Sequence, residues 1–302
     1  MVSLIKSIQL ATFYHYGSRI AAQAFSTSTA LHLETEEKEV ILKYLDGKDN
    51  GIAVLGLNRP NARNAFGKNL ITQLISAIST IKQDDKLRVL IVRSLVPFVF
   101  CSGADLRERL KMDKSEVSQF VTSLRNVMND IESIPIPVIS AIDGIALGGG
   151  LELTLATDIR IAASEAKMGL VETKLAILPG AGGTQRLPRL VGPAIAKELI
   201  YTARILNGQE AKSIHLVNQA VPQNKTGDSA YQAALLTARE ILPNGPIGVK
   251  LAKEAISKGM EVSIRDGLEI EKQCYNKVIN TEDRLEGLSA FTAKRVPIYR
   301  GI

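Results

Sequence analysis

Two glutamates set among glycine-rich loops carry the chemistry available to this chain. Residues 141–153 read Ala-Ile-Asp-Gly-Ile-Ala-Leu-Gly-Gly-Gly-Leu-Glu-Leu, with Glu152 one short turn beyond the triplet Gly148–Gly150. Glu172 follows in Lys-Met-Gly-Leu-Val-Glu-Thr-Lys, and a second backbone-exposing loop, Pro179-Gly180-Ala181-Gly182-Gly183, comes next. Glycine lets a ligand approach bare backbone, and the first N–H groups of a helix have no internal partner. Such amides can hold a developing negative charge. Two carboxyls beside them suit proton transfer next to an activated carbonyl. Singly, each feature has a plain structural reading: a tight helix entry, a first-turn glutamate, a solvated loop. It is their combination that points to a site.

These residues must be positioned by elements with recognisable periods. Val40–Leu42 and Ile52–Leu57 read as strands around the turn Asp46–Asn50. Leu70, Ile71, Leu74, Ile75, Ile78 and Ile81 have helical spacing. Val89–Val92 reads as a strand, 115–133 as a helix, and Pro137–Ala141 as the strand that feeds the triplet. This alternation predicts an α/β fold. Beyond about residue 190 strand signals fade. Helices are predicted over 193–202, 230–242, 246–258 and 265–294, with breaks at Pro222–Gly227 and Leu242–Pro246.

The joint pattern resembles the signature region of the enoyl-CoA hydratase (crotonase) family, from about residue 38 to the C-terminus. Gly169–Ile177 is particularly similar to the mitochondrial branch that hydrates methylglutaconyl-CoA. The resemblance implies a spiral of β-β-α turns followed by a helical region that makes trimers, which commonly stack as hexamers. It implies a hydratase of α,β-unsaturated acyl-CoA, with 3-methylglutaconyl-CoA of leucine breakdown as the leading substrate. A broad short-chain enoyl-CoA hydratase of β-oxidation is the alternative. Glu152 and Glu172 match the catalytic glutamates. Water must attack C3 and a proton must reach C2, so Glu152 is assigned as base and Glu172 as proton donor; both sharing one water is the other arrangement. Phe100–Leu106 matches the loop that supplies one oxyanion-hole N–H, at Ala104, and Gly149 matches the other. Removing one such donor typically costs about 3 kcal/mol of transition-state stabilisation. Gly180 matches a backbone position near the water.

For coenzyme A, the resemblance points to Ser102, Ala104 and Arg107, the last standing where a lysine is usual. Phe98 stands where some relatives have another lysine. Phe291 and Lys294, in Phe-Thr-Ala-Lys-Arg, match residues that reach CoA in a neighbouring subunit. Lys174, near Glu172, is a weaker candidate for meeting a carboxylated acyl group. CoA belongs to the substrate, so no separate cofactor is expected.

Composition bounds the rest. The chain has 302 residues, 45% hydrophobic and 23% charged, with a formal charge of +6. That fits a globular protein with anionic ligands and no bilayer-spanning run. Cys101 and Cys274 are isolated, and His15, His32 and His215 are scattered, so neither a metal site nor a histidine triad is expected. No acidic residue precedes Glu34, while Lys6, Arg19 and Ser26–Thr29 give a composition like a mitochondrial transit peptide, cleaved between about residues 20 and 35. The expected organisation is thus 1–33 targeting segment, 34–229 spiral core and 230–302 oligomerisation region, in the mitochondrial matrix. A mammalian member of the family is also described as binding AU-rich RNA through a segment corresponding to the helix that begins at Lys68. There its lysines recur every fourth residue; here Thr72 and Ser76 replace two of them. Weak RNA association is therefore expected.

Overall fold

A computed structural model describes residues 38–302; the expected targeting segment lies outside them. From the third strand onward, strands alternate between two sheets. The larger contains β1 (Val40–Tyr44), β2 (Ile52–Leu57), β3 (Val89–Ser94), then β5, β7 and β9 below; the smaller begins with β4 (Val99–Cys101). After β5 (Val138–Ile142) comes β6 (Ile145–Leu147) in the small sheet, then β7 (Ile159–Ala163), β8 (Met168–Gly169) and β9 (Gln219–Val221). The orders are β1-β2-β3-β5-β7-β9 and β4-β6-β8. Among the strands of the described residues, only the β1–β2 pair is antiparallel. From β3 to β8, each pair of successive strands (β3/β4, β5/β6, β7/β8) contributes one strand to each sheet before the chain crosses back through helix, which is the expected spiral.

The crossings follow from side-chain period. In α1 (Lys68–Lys82) the buried stripe is Leu70, Ile71, Leu74, Ile78 and Ile81. Ile75, expected on that stripe, is exposed. The short α2 (Leu106–Arg109) is capped by the Asp105 carboxylate, which accepts from the Arg107 and Glu108 amides. A capping box between Asp113 and Glu116 starts α3 (Lys114–Glu132), which buries Phe120, Leu124, Val127, Met128 and Ile131. Every residue of α4 (Gly149–Leu155) is buried. Then come α5 (Gly183–Val191), α6 (Pro193–Thr202) and α7 (Gly208–Ser213).

Both faces of the large sheet are covered, so β2 is an unbroken apolar run, as buried parallel strands require. Alternate residues serve two cores. Ala53, Leu55, Leu57, Leu90 and Val92 join α1 and α3. Ile52, Val54, Val89, Ile91 and Ile139 meet α8 (Ser229–Ile241) through Ala230, Ala234 and Ala238. That alanine stripe at i, i+4 spacing lets the helix lie close on the sheet.

Beyond α8 the chain is helical: α9 (Pro246–Gly259), α10 (Ile264–Ile279) and α11 (Glu282–Thr292). The single helix predicted over 265–294 is two. The break at Asn280–Thr281 contains no Gly or Pro, and Thr281 caps α11 by accepting from the Arg284 amide. The strands β4, β7 and β9 were not predicted; β4 and β9 are three residues long, too short to show a period, and β9 lies at the sheet edge.

Candidate active site

The small sheet assembles the site. The carboxyl ends of β4, β6 and β8 lead directly into Ser102–Ala104, Gly148–Gly149 and Val171–Glu172. These segments line one cavity of about 550 Å³, together with Glu152, Gly180, Ala181, Arg109, Arg125 and apolar side chains of α3. Ser102, Ala104, Gly149, Glu152, Glu172 and Gly180 are thus brought together. Arg107 is exposed and does not line the cavity; Arg109 does. Phe291 and Lys294 lie outside it, exposed at the end of α11.

Local geometry explains why Ala104 presents its amide. The Phe66 amide donates to the Gly103 carbonyl (2.7 Å), and the Asp105 amide donates to the Phe66 carbonyl (2.9 Å). In extended chain, successive amides point opposite ways. The Ala104 N–H therefore turns from Phe66 towards the cavity, and it donates to no described residue. The Gly149 amide likewise has no partner among the described residues. Gly103 brings the two loops together: a Cβ there would sit 3.0 Å from the Leu147 carbonyl oxygen and 3.6 Å from the Gly149 nitrogen. Gly148 has φ +52°, and a Cβ on Gly150 would lie 2.2 Å from the Cys101 carbonyl oxygen. Side chains at these positions would push the donors apart.

Arg59 holds the Ala104 loop from behind. Its guanidinium donates to Glu39, Asp105 and Glu108, each at 2.9 Å, and to the Ala65 carbonyl at 2.8 Å. Nothing in Asn58-Arg59-Pro60 marks this role, because the carboxylate partners of Arg59 are distant in sequence.

The two glutamates sit in different environments. Glu152 is 2% exposed, and its Oε1 accepts from the Ala181 (2.8 Å) and Gly183 (2.7 Å) amides. Burial raises its pKa, while these two bonds and the charges of Arg186 and Arg125 oppose the rise. Glu172 starts a 3-10 turn, Glu172–Leu175, and its Oε2 is buried without a partner among the described residues. Burial, then the neighbouring Glu152 charge, pushes Glu172 up to about 7. At neutral pH the arrangement favours a carboxylate at Glu152 and a shared or resident proton at Glu172. Beside them the Gly180 amide donates to no described residue, and its carbonyl accepts from Arg125 Nε (3.1 Å) and Nη2 (2.9 Å).

The profile of the enoyl-CoA hydratase/isomerase family matches residues 47–301. The chain belongs to that family. It is 57% identical over 265 residues to methylglutaconyl-CoA hydratase, mitochondrial, of Mus musculus, covering 88% of this chain and 84% of that one. It is 53% identical over 272 residues to enoyl-CoA hydratase domain-containing protein 2, mitochondrial, of Mus musculus, covering 90% and 92%. Among solved structures it is similar to an enoyl-CoA hydratase from Bacillus anthracis, with 46% identity and a TM-score of 0.83, covering 87% of this chain and all of that one. In this family member, the cavity between the two loops is the candidate acyl-thioester site.

Proposed function

We propose that this chain hydrates α,β-unsaturated acyl-CoA, with 3-methylglutaconyl-CoA as substrate and 3-hydroxy-3-methylglutaryl-CoA as product in leucine degradation. One observation carries the chemistry: a buried glutamate, Glu152, and a half-buried one, Glu172, in unlike environments, line one cavity with two amide donors that have no partner among the described residues. The thioester oxygen accepts from the Ala104 and Gly149 amides as it gains enolate character. A water beside the Gly180 amide gives a proton to Glu152 and attacks C3. Glu172 gives its proton to C2. A proton then returns from Glu152 to Glu172, so hydrogen and hydroxyl are added and both carboxyls are restored.

The acyl group is supported by the name of the mouse relative. A broad short-chain hydratase is the second reading, favoured by similarity to proteins named only as enoyl-CoA hydratases. Rates on methylglutaconyl-CoA and crotonyl-CoA, measured side by side, separate the two. Glu152→Gln and Glu172→Gln should each keep CoA binding and lower kcat about 100-fold or more. Near-normal turnover in either variant rejects the role of that residue.

Ser102, which lines the cavity, and the exposed Arg107 on α2 are proposed to meet the CoA moiety. Phe291 and Lys294 are proposed to meet CoA bound by a neighbouring subunit of a trimer or hexamer. Targeting to the mitochondrial matrix is proposed from the acid-free start of the sequence and the mitochondrial relatives. Mass spectrometry of the native protein checks it: a mature chain still beginning at Met1 in the cytosol would overturn it.

A further inference from the structure

A dicarboxylic acyl group brings a second negative charge into a largely apolar cavity, so it needs a cation there. This inference rests on the substrate proposed above. Arg186 is occupied, donating to Glu132, Asn129 and the Ala181 carbonyl. Lys174 does not line the cavity. Arg109 and Arg125 do. Arg109 stands on α2, which begins just after the Ala104 donor, and so belongs to the thioester end. Arg125 stands on α3, against the Gly180 loop. Its Nε and Nη2 are fixed on the Gly180 carbonyl, next to Glu152, and its charge is felt by that carboxyl. Among the described residues, it has no carboxylate partner, and its Nη1 donates to nothing.

Substrate stereochemistry converges on the same place. Water attacks C3 from beside Glu152 and Gly180. The distal carboxylate of a glutaconyl thioester is two bonds from C3, on the side away from the thioester. We propose that Arg125 is the specificity-determining residue for this carboxylate, pairing it through the unused edge of the guanidinium. The Gly180 carbonyl holds the fork in place, so less freedom is lost when the anion binds.

The test compares glutaconyl-CoA with 2-pentenoyl-CoA, which carries a methyl where the former has its carboxylate. Wild type should prefer the dicarboxylic thioester. Arg125→Gln, which keeps an N–H donor for Gly180, should lower the glutaconyl-to-pentenoyl ratio of kcat/KM about 10- to 100-fold, chiefly through KM. Arg125→Lys should recover part of that ratio. Inhibition by glutaryl-CoA and pentanoyl-CoA should show the same ratio change without turnover. Equal losses on both substrates would overturn the proposal by showing that Arg125 only props the Gly180 loop. An unchanged ratio would also overturn it. A wild type that hydrates 2-pentenoyl-CoA and rejects the dicarboxylic thioesters would defeat the substrate reading itself, before any substitution is made.

Discussion

Glu172 keeps one carboxyl oxygen buried and, among the described residues, without a partner, and that has an energetic consequence separate from catalysis. Its pKa in the folded protein is raised to about 7 from an ordinary value near 4.5. The folded state therefore holds this proton more tightly than the unfolded state. The stabilisation is fully present below the unfolded pKa and is lost as pH rises from about 4.5 through about 7. Glu172→Gln removes the charge that burial disfavours. It should melt about 2–4 °C above wild type at pH 8, with the gap closing towards pH 5. Thermal denaturation at the two pH values checks this, and a variant less stable than wild type at pH 8 would contradict it. In the wild type, the alkaline limb of kcat/KM should have a midpoint of about 7. Glu152 and Glu172 were legible in the sequence because glycine-rich loops advertise exposed backbone. Arg59 and Arg125 were not. The carboxylates that Arg59 binds near the donor loop lie 46 and 49 residues on, and the carbonyl that Arg125 binds lies 55 residues on. Local pattern does not encode such closures.

At the scale of elements, β1, β2, β3 and β5 were readable as short apolar runs between turn residues, and the α1 and α3 stripes because a buried helix face imposes a period of 3.6. The three-residue β9 and the break between α10 and α11 lacked such a signal. The α1 surface bears on RNA. Lys68 Nζ lies 3.1 Å from Glu116 Oε1, and Lys82 Nζ lies 2.7 Å from Asp130 Oδ1. Thr72 and Ser76 add no charge. Phosphate neutralisation supplies most non-specific affinity and makes it salt-dependent, and here anions of α3 already compete for these lysines. Fluorescence anisotropy should show weak, salt-sensitive RNA association with little preference for AU-rich sequence. Tight AU-selective binding at physiological salt, abolished by Lys68→Ala, would refute this.

The whole molecule leaves apolar side chains uncovered on its C-terminal helices. Ile256 and Met260 are neighbours on α9 or at its end, while Ile264 and Leu268 are neighbours on α10; Met260 is 79% and Ile264 81% exposed. Fully burying such a side chain is worth about 1.5–3 kcal/mol. In a trimer or hexamer joined through this region, Met260→Glu with Ile264→Glu should lower the mass seen by analytical ultracentrifugation. An unchanged mass would place the interface elsewhere. The three parallel strands of the small sheet have a different kind of consequence, one for descent. Each strand ends on a separate functional group: the Ala104 donor, the Gly149 donor and Glu172. Because the enolate-binding pair comes from turns other than the one bearing Glu172, mutation there can alter the proton chemistry and leave the thioester grip intact. A duplicated gene of this architecture can thus explore new reactions one turn at a time while it still captures the same class of substrate.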